Sequence, residues 1–131
     1  MSGTLSTLKY YSCHEWVRIL ASFAVVGVTE FVSGLKGSIK LSCDVDYNKV
    51  YVPGEQIGTL ETQDGEVLPF YIPVSGYIVG VNNHPSIDAG NPYGDGWLLI
   101  VKIMEESDIA KLMTESEYDK TFKRTPMFAY A

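Results

Sequence analysis

Side chains that could do chemistry are few in this chain, and they do not assemble into a familiar catalytic pattern. His14 and Glu15 adjoin, but neighbours on a strand point to opposite faces, so adjacency makes no acid–base pair. Cys13 and Cys43 are the only cysteines, and they lack a C-x-x-C spacing. They indicate neither a zinc site nor a disulfide scaffold, and read as reduced, packed thiols of an intracellular protein. His84, ahead of Pro85, has no His or Cys beside it and reads as a solvated loop histidine. No P-loop, G-x-G-x-x-G, G-x-S-x-G or H-E-x-x-H occurs, so catalytic residues and metal ligands are both expected to be none. The most telling stretch is residues 61–76, ETQDGEVLPFYIPVSG, which reads as a β-hairpin with Asp64-Gly65 as a two-residue type I′ tip. An exposed turn of this kind could present an amine for acylation. No lysine lies between Lys49 and Lys102.

The elements that would carry this hairpin are mostly short strands. Tyr10-Tyr11 and residues 16–19 suggest a first hairpin, and residues 23–28 a strand rich in β-branched side chains. Residues 29–35 suit a short helix, N-capped by Thr29 and ended by Gly34 or Gly37. Strands follow at 38–43 and 56–62, separated by the turn-prone stretch 44–53, and then at 77–81 and 97–103. Two short helices are expected at 108–113 and 115–122, the second opened by a capping box of Thr114 and Glu117. Many short strands with Gly/Pro turns imply a sandwich or barrel. Trp16, Trp97 and the aliphatic strand positions are expected to fill its core.

Composition narrows the function classes. At 131 residues one domain is expected, and the 46% hydrophobic and 20% charged shares are those of an ordinary globular protein. A net charge of −6 argues against a nucleic-acid partner, which needs clustered Lys and Arg. No apolar run is long enough for a membrane span. The first eight residues have neither the charge nor the apolar core of a signal or transit peptide.

Four blocks, in order over residues 9–122, carry a family resemblance. The first is His14-Glu15-Trp16-Val17-Arg18, followed by Ala24-Val25-Val26-Gly27-Val28-Thr29-Glu30-Phe31. The second is Leu35-Lys36-Gly37-Ser38-Ile39, and the third runs from Gly54 through Gly58 and Glu61 to Pro73-Val74-Ser75-Gly76. The last is Asn91-Pro92-Tyr93-Gly94-Asp95-Gly96-Trp97-Leu98. Together they resemble the H protein of the glycine cleavage system.

The resemblance implies a mainly β fold, a barrel-sandwich hybrid of the lipoyl-domain type, flattened, with short helices at its C-terminal edge. It also implies a lipoate carried on a lysine at the hairpin tip. Counted forward from Glu61 that lysine column falls on Asp64, and counted back from Pro73 it falls on Gly65, because this hairpin is longer. Neither side chain can form the amide. The family's loaded arm folds into a cleft whose glutamate matches Glu15. A polar cleft residue matches Cys13, a weaker hydrogen-bond partner, and an aspartate matches Pro69, which has neither carboxylate nor backbone donor. Without an arm, Glu15 reads better as a structural carboxylate. The segment 81–92 is also shorter than its family counterpart, on a face near where partner enzymes dock.

The expectation is therefore an H-protein-like module with no cofactor. It would act as a non-catalytic structural or regulatory subunit through protein contacts, with glycine cleavage enzymes as possible partners. The alternative is a working aminomethyl carrier with its arm on an atypical lysine, Lys49 being the nearest along the chain. Residues 1–8 read as an extension, 9–122 as the domain and 123–131 as a tail. Met127, Phe128 and Tyr130 of that tail are candidate partner contacts, with packing on the chain's own barrel as the competing account. The expected compartment is the cytoplasm, with the mitochondrial matrix as the alternative.

Overall fold

A computed structural model describes residues 8–12, 14–29, 38–62, 65–82, 87–88 and 96–122. Cys13, Asp64, His84, the expected helix after Thr29 and the tail with Met127, Phe128 and Tyr130 lie outside the described residues. The expected mainly β architecture is found, as two sheets with two short helices near the C-terminal end.

The larger sheet has seven strands. Its centre is a meander of β1 (Leu8–Tyr11), β2 (Glu15–Leu20) and β3 (Phe23–Val28). To β3 it adds β10 (Leu99–Ile103), β8 (Gly76–Val81) and β5 (Val50–Tyr51), while β11 (Met113–Thr114) pairs with β1. The smaller sheet runs β7-β6-β4-β9, from β4 (Ser38–Cys43), β6 (Gln56–Glu61), β7 (Val67–Tyr71) and β9 (Ile87–Asp88). All recorded pairings are antiparallel.

Alternation along the strands makes the core. Val17, Val26, Ile78 and Val101 face inward and pack with Ile39, Leu60 and Phe70 from the smaller sheet. Burying each such side chain contributes roughly 1.5–3 kcal/mol before the entropy of ordering is subtracted. The opposite face carries a second cluster, Leu8, Tyr10, Trp16 and Val25, covered by Tyr118 and Phe122. Trp16 is fully buried as expected, but beneath a helix rather than between the sheets, and Trp97 is only half-buried.

The covering helix is α2 (Glu115–Phe122), with the expected bounds. Its capping box is formed: the Thr114 N–H donates to Glu117 Oε1 at 2.8 Å, and the Glu117 N–H to Thr114 Oγ1 at 3.1 Å. Thr114→Ala is expected to lower stability by about 1 kcal/mol in a denaturant titration. No change would mean that side-chain docking alone holds the helix.

The other helix differs from expectation. α1 is only Ser107–Ala110, and Met113 leaves helical geometry to pair with Tyr10 on β1. Burial of Leu112 in the core together with a ladder bond outweighs local helix preference.

Candidate functional site

The hairpin of β6 and β7 is present, with a different turn. Glu61 pairs with Val67, and the Thr62 N–H donates to the Glu66 carbonyl at 2.8 Å. The Gly65 N–H donates back to the Thr62 carbonyl at 3.0 Å, and Gly65 has φ +90°. Thr62 and Glu66 therefore close a three-residue loop whose last residue is left-handed, not the two-residue type I′ turn expected at Asp64-Gly65. Thr62 explains the change. Its backbone takes one ladder bond while its Oγ1 accepts the Glu66 N–H at 3.2 Å, so Thr62 rather than residue 63 closes the loop against Glu66.

Pro69 fits the same register. Counting from the Thr62–Glu66 closing pair, Thr59 and Pro69 form a non-hydrogen-bonded pair, so no donor is needed there. β7 is an edge strand, and a proline at its middle removes an outward N–H that another chain could pair with.

Glu15 sits beside this edge. It is 1% exposed, and its Oε2 accepts the Tyr71 N–H at 3.2 Å, linking β2 of the larger sheet to β7 of the smaller. Oε1 is buried without a hydrogen-bond partner. Burial pushes the carboxyl well above its usual range, opposed by the Tyr71 N–H. The group thus favours its neutral form and fastens the strand that carries the hairpin.

The residue before Glu15 is tied to the C-terminal helix. His14, at φ +68°, has Nδ1 2.7 Å from the Tyr118 hydroxyl, which also lies 2.9 Å from Thr29 Oγ1. Its ring packs edge-on against Phe122 at 4.6 Å. His14 and Glu15 therefore diverge, one to α2 and one to β7, because His14 is a left-handed turn residue placed just before β2 begins.

The lysines are placed as follows. Lys49 is held by Glu55, Nζ to Oε2 at 2.7 Å, and lies 4.5 Å from the Tyr51 ring centroid. The hydrogen bond to Glu55 raises its pKa, which disfavours the neutral amine that acylation needs. Lys102 donates to Ser22 Oγ at 3.0 Å. Lys40 was not a sequence candidate, yet it is exposed and pairs with Glu61, one register step from the Thr62–Glu66 closure. Among the described residues it is the lysine that sheet register brings to the base of the tip. Only strand pairing, and no local motif, could have revealed it. Among the described residues no group of three His, Cys, Asp or Glu could hold a metal, and no helix is long and apolar enough to cross a membrane.

With this geometry in place, comparison with known proteins decides the family. The model of the glycine cleavage H-protein family matches residues 8–125. The chain belongs to the glycine cleavage H-protein family. It is 32% identical over 117 residues to a glycine cleavage system H protein of Listeria monocytogenes serotype 4b, covering 86% of this chain and 93% of that one. To a Cyanothece protein of the same name it is 34% identical over 116 residues, covering 85% and 88%. A crystal structure of a glycine cleavage system H protein from Mycobacterium marinum superposes with a TM-score of 0.68 at 27% identity, covering 90% and 98%. An H protein is not itself a catalyst, and membership of this family sets the chain apart from enzymes.

Proposed function

We propose that this chain is an H-protein-type module that works by protein contact, as a structural or regulatory subunit, without a lipoyl arm. One observation carries the reading: residues 62–66, Thr-Gln-Asp-Gly-Glu, which close the hairpin, contain no amine. Lipoate on a lysine does not fit this tip. The family's lysine column falls on Asp64 or on Gly65, and Gly65 is a side-chain-less residue in a left-handed backbone. The Glu55 clamp on Lys49 and the proline at position 69 agree with a chain that has given up the arm. Met127, Phe128 and Tyr130 are proposed contact residues of the tail, and the cytoplasm is the proposed compartment.

A second reading, a lipoylated aminomethyl carrier, is favoured by a single feature, the exposed Lys40 opposite Glu61. Intact-mass measurement with peptide mapping separates the two readings. The first expects every lysine unmodified in protein from cells that lipoylate their other carriers. The second expects a lipoyl addition on the peptide containing Lys40. Affinity purification then identifies whether the companions are glycine cleavage enzymes.

A further inference from the structure

The outer face of the larger sheet is covered only in part by α2. In register, Leu20 pairs with Phe23, Phe23 with Lys102, Lys102 with Tyr77, and Tyr77 with Val50. Directly paired residues project to the same side, so these side chains form one row across β2, β3, β10, β8 and β5. Tyr10 and Trp16, on the same face, are sealed under α2, but Leu20 is 47%, Phe23 38% and Val50 41% exposed. Val79, the extra residue at the β8–β10 register shift, adds a further exposed apolar side chain.

The row has a charge as well as a shape. Lys102 stands at its middle, with Nζ 5.1 Å from the Phe23 ring centroid. The described strand positions of that face hold no carboxylate. A chain of net charge −6 thus places a lysine among its exposed apolar strand residues.

We propose that this face docks a partner protein through a segment combining apolar side chains with carboxylates. The proposal deepens the reading of the chain as a protein-contact module and rests on it. Charge selects this occupant over the chain's own tail, whose Lys123 and Arg124 would approach Lys102 with like sign.

The test is selection of short random peptides from a display library on the full-length protein. Selected peptides are expected to combine aspartate or glutamate with aliphatic or aromatic residues. Leu20→Ser with Phe23→Ser should weaken them by about tenfold or more, with the melting temperature retained because both residues are exposed. Lys102→Glu, which leaves the apolar row in place, should turn the selection toward basic peptides. The proposal is overturned by recovery of no binder, by a preference for basic peptides on the unaltered chain, or by binding that ignores both replacements. Competition at this face by a peptide of residues 123–131, or by self-association of the chain, also overturns it. None of these failures touches the missing-arm reading, which stands on the mass of the protein.

Discussion

Gly27→Ala is expected to destabilise the protein by about 3 kcal/mol, at the upper end of ordinary overpacking. The Trp16 indole lies directly over Gly27, and a Cβ built there would overlap the ring atoms. The ring has no free direction in which to yield. Trp16 is 0% exposed, wedged among Tyr10, Val25 and Tyr118 beneath α2. A fall of this size is a large share of the few kcal/mol by which a small domain is stable. Denaturant unfolding measures it, and a double-mutant cycle with Trp16→Phe, which removes Cζ2, the atom nearest the added Cβ, identifies the cause. The alanine should cost distinctly less in the Trp16→Phe background. Equal costs in both backgrounds would mean that the clash is relieved elsewhere and that α2 is looser than its contacts indicate.

The second large effect belongs to Glu15 and depends on pH. Because burial raises its folded carboxyl above the unfolded value, the protonated group's contribution is fully present below the unfolded pKa of about 4.3. It declines as pH rises and is lost once the folded pKa is passed, where a charge is buried with only the Tyr71 N–H to receive it. Glu15→Gln keeps an acceptor for that N–H and cannot ionise. Its stability should match the unaltered chain near pH 4 and exceed it on the order of 2 kcal/mol at alkaline pH. Glu15→Ala should be less stable than Glu15→Gln at every pH, since it strands the Tyr71 donor. Parallel pH–stability curves for the unaltered chain and the Glu15→Gln variant would contradict a Glu15 carboxyl raised by burial.

What could be read in the sequence was what local physics determines. β3 and β4 have the expected bounds, β3 because it carries a β-branched run and β4 because apolar Ile39 and Leu41 alternate with polar residues. The Thr114–Glu117 box is a three-residue signal and formed as expected. Information was lost where distant residues meet. Met113 reads as helical until β1 offers it a strand partner. The Asp64-Gly65 pair suggests a two-residue turn until the Thr62 hydroxyl takes the Glu66 N–H. Glu15 finds Tyr71 across 56 positions, and Lys40 finds Glu61 only through the β4–β6 register. Those last two encounters define the surroundings of the candidate site, and neither leaves a motif.

High-resolution mass spectrometry of the intact chain, isolated from its own cells, puts the absent tether to the test most directly. A mass equal to that of the bare polypeptide, in cells whose other carriers are loaded, is the predicted result. An octanoyl- or lipoyl-sized increment on any lysine, Lys40 above all, would contradict it and restore the chain to the working carriers.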